Sequence, residues 1–191
     1  VEPGTNPGFL YQQNTMRDAL VAGINLNIFN KHCDRVKMAN IAQMVNVLQS
    51  VILTDGERMI KTPTWFVFYL YQAHQDAELL DSTLETAMVG PEGHQAPNMT
   101  ESVSMGKDGK MHITLTNESV TEDYPIDVIL DSGKAVDVSG MILTGEMHEH
   151  NTFDNPDQVK CTSFDDVKLT DDGLKLTLPK CSVLHLTVTV E

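Results

Sequence analysis

The chain has 191 residues, 41% of them hydrophobic, which is long enough for one large domain or two small ones and argues against general disorder. It carries 13 Lys and Arg against 27 Asp and Glu, a formal net charge of −14. A surface this acidic repels phosphate backbones and anionic lipid, so we expect neither nucleic acid nor a membrane as a partner. A neutral substrate such as a sugar is compatible with it.

The charge is unevenly distributed along the chain. Residues 1–80 hold six basic and seven acidic side chains, a net of −1, whereas residues 81–191 hold seven and twenty, a net of −13. This asymmetry predicts a boundary near residue 81 and two domains, 1–80 and 81–191.

A long helix is predicted over residues 9–31, after a turn-like start rich in Pro and Gly. Apolar residues recur mostly four apart along it, as on one buried helix face. They are Phe9, Met16, Leu20, Ile24 and Ile28. Gly23 permits a close approach to whatever packs on this helix.

A strand and a second helix are predicted next. Residues 35–42 read as a short strand without clean alternation, as in a parallel sheet buried on both faces. A turn is expected at Asp55-Gly56, and Thr62-Pro63 is a good start for a helix over residues 64–75. The order helix, strand, helix is typical of a βα barrel.

Beyond Asp81 the hydrophobic pattern changes to period two. Alternating runs predict strands around residues 111–116, 126–130 and 184–190, and turns at Asp-Gly or Ser-Gly steps separate such runs. Short strands at this spacing indicate an antiparallel sandwich. We therefore predict an α+β fragment, the last βα units of a (β/α)8 barrel followed by an antiparallel, jelly-roll-like β-sandwich.

Six segments of the chain together carry a family resemblance. They are residues 6–22, 27–43 with the run Asn40-Ile-Ala-Gln43, 45–54, Thr62-Pro-Thr64, 145–156 and 178–183. These segments resemble glycoside hydrolase family 51, the α-L-arabinofuranosidases. The resemblance covers nearly the whole chain and is weakest over residues 82–130.

The resemblance implies a C-terminal portion of a retaining enzyme that releases terminal α-L-arabinofuranosyl groups from arabinan and arabinoxylan. Such chemistry uses two carboxylates, one as nucleophile and one as acid/base. In the family the nucleophile lies in an Asp-Glu-Trp segment at the end of the seventh barrel strand, and the acid/base Glu lies further upstream. Both are expected before Val1, so this chain alone should be inactive.

Two residues of the chain are candidate sugar ligands. The resemblance implies that Gln43 hydrogen-bonds the arabinose, and active sites of βα barrels gather at strand C-termini, where Gln43 would stand. An amide can both donate to and accept from sugar hydroxyls. Asn46, three residues further on, is a second candidate with weaker support. The family often has an aromatic-His pair after Thr64, but this chain has Trp65-Phe66 there.

No cofactor and no metal are predicted. His148 and His150 would share one face of a strand, but no third ligand has a convincing spacing, so a turn or an interdomain packing role is favoured. Cys33, Cys161 and Cys181 form no CxxC pair and are expected to be mostly buried. Asn98 and Asn117 match the glycosylation triplet, a common chance match.

Two other functions stay open. The sandwich could be a non-catalytic carbohydrate-binding module, although residues 82–191 offer only Tyr124, Phe153 and Phe164 for stacking on sugar rings. It could also be a purely structural module. A homo-oligomer is expected, because a partial barrel exposes a large apolar face. The compartment is not determined, with the cytoplasm favoured over secretion.

Overall fold

The computed structural model describes residues 14–191, which form two helices and thirteen strands. Helix α1 and the hairpin β1–β2 come first, followed by α2 with a single 3₁₀ turn and then by the remaining strands. The helices are α1 (Met16–Lys31) and α2 (Pro63–Tyr71), and the 3₁₀ turn is Gln72–His74. The strands are β1 (Ile52–Asp55), β2 (Arg58–Lys61), β3 (Glu78–Leu79), β4 (Met88–Val89), β5 (Ala96–Pro97), β6 (Met99–Met105), β7 (Met111–Asn117), β8 (Tyr124–Ile129), β9 (Ala135–Thr144), β10 (Thr162–Phe164), β11 (Val167–Leu169), β12 (Gly173–Leu178) and β13 (Ser182–Val190).

The strands after residue 77 build the predicted antiparallel sheets. One sheet has six strands in the order β10-β9-β13-β7-β6-β3, and a second has three in the order β11-β12-β8. The predicted runs correspond to β7, β8 and β13, and glycines with positive φ, Gly109 and Gly133, stand in the turns before β7 and β9. The prediction of antiparallel strands beyond Asp81 is therefore confirmed.

A first hydrophobic core lies between these two sheets. Met111, Ile113 and Leu115 of β7 enter it, and so do alternate residues of β12 and β13. Leu174, Leu178, Leu184 and Leu186 are completely buried there. Burial of such side chains contributes about 1.5–3 kcal/mol each, so this core holds the two sheets together.

A second core lies on the opposite face of the six-stranded sheet, under the two helices. Met16 and Leu20 of α1 pack with Val67 and Leu70 of α2 and with apolar residues from β9 and β13. All seven residues of β7 are consequently buried, although its alternating sequence is typical of a strand with one face in water. The helices replace water on the polar face.

Gly23 allows α1 to lie close to the sheet, as predicted. A Cβ atom at this position would stand 2.6 Å from Cγ2 of Thr116, too close for a side chain. Four of the buried residues of α1, at positions 19, 22, 23 and 27, are small or polar. Ile28, which belongs to the predicted apolar stripe, is instead 44% exposed.

Asn27 is the centre of a buried polar network between α1 and the sheet. Its side chain is 1% exposed. Its Oδ1 accepts from the hydroxyls of Ser102 (3.0 Å), Thr114 (2.8 Å) and Tyr71 (2.8 Å), and its Nδ2 donates to Oγ1 of Thr100 (3.0 Å). The network satisfies the polar side chains that the sheet presents to the helix.

Three histidines extend this polar layer. His74 Nδ1 lies 2.7 Å from Oγ of Ser104, and its Nε2 lies 2.9 Å from Oγ1 of Thr114. His112 Nδ1 lies 3.1 Å from Nε2 of His185. Burial, together with the charges of His185 and His112, lowers the pKa of His74 to about 4. Burial and the charge of His112 likewise lower the pKa of His185 to about 4.

The predictions for residues 1–80 need two corrections. Residues 36–42 do not form the predicted strand, because no described strand lies beside them to accept their backbone hydrogen bonds. The helix predicted over residues 9–31 begins at Met16, and residues 9–13 lie outside the described part. Thr15 is its N-cap, and the N–H of Thr15 donates to the Asp18 carboxylate (2.8 Å). The second helix and the Asp55-Gly56 turn are confirmed, and the domain boundary near residue 81 stays a prediction.

Replacement of Asn27 by Ala should lower the free energy of unfolding by about 3 kcal/mol, because several buried hydroxyls lose their partner. Asn25→Ala is the matched control, since Asn25 is exposed on the same helix and bonds only to the carbonyl of Val21. Urea denaturation of both variants measures the difference. Equal losses in the two would show that the network does not hold α1 on the sheet.

His74 and His185 should make the fold sensitive to mild acid. Their folded pKa lies below the unfolded value of about 6.5, so the unfolded chain binds more protons, and stability is lost as pH falls from about 6.5 towards 4. Between pH 7 and pH 5 we expect a loss of roughly 2 kcal/mol for each of the two histidines. His74→Gln should flatten this pH dependence, measured by urea denaturation, whereas a substitution of the exposed His94 should not. An unchanged slope for His74→Gln would contradict the assignment.

Candidate functional site

The candidate sugar ligand Gln43 lies on the surface, in the connection between α1 and the β1–β2 hairpin. Its side chain is exposed and makes no hydrogen bond to any residue of 14–191, whereas its backbone N–H donates to the carbonyl of Val47 (3.2 Å). The peptide bond between Ala42 and Gln43 is cis. Because the Gln43 side chain is exposed and makes no hydrogen bond within residues 14–191, its amide group is available to a ligand on this surface.

Asn46 lies in the same turn, but its side chain is engaged. Its Nδ2 donates to Oγ1 of Thr54 (2.8 Å), and its Oδ1 accepts from the N–H of Thr54 (2.6 Å). Its φ of 62° is in the left-handed region, which Asn tolerates better than most residues. The Asn46 side chain thus links the turn to β1 by two hydrogen bonds, a role that the sequence alone did not indicate.

Backbone hydrogen bonds connect the Gln43 turn to the hairpin. The carbonyl of Met44 accepts from the N–H groups of Val51 (3.2 Å) and Ile52 (3.1 Å), and the N–H of Asn46 donates to the carbonyl of Ile52 (3.1 Å). Thr62, the N-cap of α2, donates through its hydroxyl to the carbonyl of Ser50 (2.8 Å). The turn, the hairpin and the start of α2 form one bonded unit.

Gln49 joins this unit to α1. Its Nε2 donates to the carbonyl of Asp18 (2.6 Å) and lies 3.2 Å from Oγ1 of Thr64. The unit is therefore fixed to both helices.

A groove of about 360 Å³ lies beside this unit. Its lining is mainly apolar and aromatic, with two amides. The residues that line it are Ala39, Asn40, Ile41, Met44, Val51, Trp65, Phe68, Tyr69 and Gln72. Trp65 and Tyr69 stack with ring centres 5.5 Å apart, and Nζ of Lys61 lies 3.9 Å from the centre of the Trp65 ring.

The surface around the groove is strongly apolar. Met38 is 75% exposed, Met44 68% and Tyr69 43%. Large apolar side chains clustered on a surface mark a place where another part of a protein binds.

His148 lies in a turn, one of the two roles that the sequence favoured, and His150 forms an isolated antiparallel bridge with Thr15. The carbonyls of Glu149 and Met147 accept from the first N–H groups of α1, those of Met16 (2.9 Å) and Arg17 (3.0 Å). These bonds satisfy donors that a helix N-terminus leaves unpaired. No group of three or more His, Cys, Asp or Glu within residues 14–191 could hold a metal ion.

The three cysteines differ in exposure, and the asparagines of the two glycosylation triplets are buried. Cys33 is exposed, against the prediction; Cys161 is half-buried and Cys181 is buried. Burial raises the pKa of the Cys161 thiol to about 12, which keeps it protonated. Asn98 and Asn117 are completely buried, so neither can accept a glycan in the folded chain. Within residues 14–191 no helix is long and apolar enough to cross a membrane.

The three aromatic side chains of the sandwich form no platform for sugar. Phe164 is buried in the first core, and the guanidinium of Arg58 lies over the Phe153 ring at 4.7 Å. Tyr124 is half-buried, and its hydroxyl donates to the Glu122 carboxylate (2.7 Å).

Two curated relatives of the chain are arabinofuranosidases. The chain is 45% identical over 188 residues to an intracellular exo-alpha-L-arabinofuranosidase of Bacteroides ovatus, covering 97% of this chain and 36% of that protein. It is 28% identical over 139 residues to alpha-L-arabinofuranosidase C of Emericella nidulans, covering 69% of this chain and 27% of that protein. The chain thus spans about a third of the length of these curated relatives.

Solved structures give the same result. The GH51 arabinofuranosidase from Xanthomonas axonopodis pv. citri superposes with a TM-score of 0.93 at 42% identity, over 98% of this chain and 38% of that one. An alpha-L-arabinofuranosidase from Thermotoga maritima, solved as an arabinose complex, shares the fold with a TM-score of 0.84 at 23% identity, over 96% of this chain and 40% of that one. The family model of the alpha-L-arabinofuranosidase C-terminal domain matches residues 1–182, and the chain belongs to this family.

Proposed function

We propose that the chain is the C-terminal part of a retaining α-L-arabinofuranosidase that hydrolyses terminal α-L-arabinofuranosyl groups of arabinan or arabinoxylan. The observation that carries the proposal is the match of 97% of the chain to an exo-alpha-L-arabinofuranosidase at 45% identity. Both catalytic carboxylates belong to the preceding part of such an enzyme, so the chain alone is inactive.

The contribution of this chain to the active site is the side chain of Gln43. An amide can donate to one sugar hydroxyl and accept from another, and that of Gln43 has no partner among residues 14–191. Asn46 supports the same surface by holding the turn against Thr54. Asn46 is the weaker candidate ligand, because these bonds leave only one N–H and one lone pair of its amide for a sugar hydroxyl.

Residues 1–80 would be the last βα units of a (β/α)8 barrel and residues 81–191 a C-terminal sandwich. The exposed apolar surface around Met38, Met44 and Tyr69 supports this division, because an adjoining part of a barrel would cover it. Residues 36–42 would form a strand once a neighbouring strand is present. The alternative of a carbohydrate-binding sandwich is less favoured, since the three sandwich aromatics are buried or engaged. The alternative of a purely structural module differs from the proposal only in whether Gln43 lies in a complete site.

The proposal is tested in a fusion of the Bacteroides ovatus relative in which this chain replaces the matching 188 residues. The fusion should release arabinose from p-nitrophenyl α-L-arabinofuranoside. Gln43→Ala should lower kcat/KM by roughly 10- to 100-fold, the effect of a lost hydrogen bond to the sugar of about 1–3 kcal/mol. Gln95→Ala is the matched control, because Gln95 is an exposed amide in the loop between β4 and β5.

Two outcomes would contradict the proposal. A correctly folded fusion without arabinofuranosidase activity would remove the function from this chain. A fusion whose kcat/KM is the same with Gln43 and with Ala would remove Gln43 from the site.

The chain by itself should associate through its exposed apolar surface, which would agree with an oligomeric protein. Met44→Glu should shift the distribution towards monomer in light scattering. Ile129→Glu adds the same charge on the sandwich, where Ile129 is 68% exposed, and should have a smaller effect. A monodisperse monomer of the unmodified chain would contradict this expectation.

A further inference from the structure

We propose that the loop between β9 and β10, residues 145–161, is a strut through which the sandwich holds the Gln43 turn in place, and that Asn151 is its main positioning residue. The functional consequence rests on the proposed function of Gln43. The mechanical part depends on contacts within this chain alone.

Asn151 connects the loop to the hairpin with a buried amide. Its side chain is 4% exposed. Its Nδ2 donates both to the carbonyl of Lys61, the last residue of β2 (2.9 Å), and to the carbonyl of Val159 (2.8 Å). Its Oδ1 accepts from the N–H of Val159 (2.7 Å). Both donors and the acceptor are used, so the amide has one favourable orientation.

A continuous set of bonds leads from Lys61 to the Gln43 turn. Lys61 pairs with Ile52 across the β1–β2 hairpin. Ile52 exchanges backbone hydrogen bonds with Met44 and Asn46, and both of these lie within three residues of Gln43. A displacement of β2 therefore moves the turn that carries Gln43.

The loop supports the same region at two further points. The Phe153 ring lies under the guanidinium of Arg58, at the other end of β2. The carbonyls of Met147 and Glu149 accept from the first turn of α1. The hairpin is thus held near both ends of β2.

The Gln43 turn depends on this support because the residues on its N-terminal side have no strand pairing within residues 14–191. Residues 36–42 form no strand, and the side chain of Gln43 bonds to nothing within residues 14–191. A displacement of about 1 Å of a group that orients substrate can cost a factor of about 100 in rate. The sandwich would then contribute to catalysis without touching the sugar.

Hydrogen exchange of the chain itself tests the strut. Asn151→Ala should speed exchange of the backbone N–H groups of Asn46 and Thr54 by about tenfold or more. This acceleration should be larger than the acceleration at the backbone N–H of Leu184 in the sandwich core. Asn155→Ala is the control, because Asn155 is exposed in the same loop and its side chain bonds only to Gln158 (2.6 Å). Equal acceleration at Asn46, Thr54 and Leu184 would mean general destabilisation and would overturn the strut.

Kinetics of the fusion test the consequence for the active site. Asn151→Ala should lower kcat/KM per titrated active site by about tenfold, and the double variant with Gln43→Ala should be close to Gln43→Ala alone, because both act through one side chain. If the losses in kcat/KM of the two single variants multiply in the double variant, the positioning role is overturned. A normal kcat/KM for Asn151→Ala beside an impaired Gln43→Ala would likewise overturn the positioning role only. A normal Gln43→Ala enzyme would overturn the proposed role of Gln43 and the positioning role with it.

Discussion

The buried amide of Asn27 is the interaction on which the architecture depends. It lies where α1 crosses the polar face of β6 and β7, and it bonds to hydroxyls from both strands and to Tyr71. Without it, the hydroxyls of Ser102, Thr114 and Tyr71 would each lose one buried partner under the helix, and a buried group left unpaired costs about 1–3 kcal/mol. The network makes it favourable for helices to cover a face that would otherwise be solvated.

This interface makes the helical part and the sandwich one structure. The same helices are fixed to the turn that carries Gln43, through Gln49 and Thr62, and the β9–β10 loop reaches the hairpin from the sandwich side. The sandwich therefore has two ways to influence the surface where a sugar would bind. We infer that its role in the proposed enzyme is to position the end of the barrel, and that binding of polysaccharide is secondary.

Much of the sandwich could be predicted from the sequence, because β7, β8 and β13 alternate cleanly and glycines mark the turns between strands. The burial of both faces of β7 could not, since Thr114 and Thr116 look like residues for solvent until Asn27 is placed above them. The predicted strand over residues 35–42 depends on neighbours that these residues lack here. Gln43 stays a prediction that rests on a resemblance. The bonds between Asn46 and Thr54 are visible only in the folded turn, because local spacing does not show which side chain a hairpin will bind.

The most direct test of the central claim is a crystal structure of the fusion with arabinose bound. We expect the amide of Gln43 to lie within about 3 Å of a sugar hydroxyl, with Asn46 still bonded to Thr54 and Asn151 to the carbonyl of Lys61. Arabinose bound elsewhere, with the Gln43 side chain in solvent, would contradict this expectation.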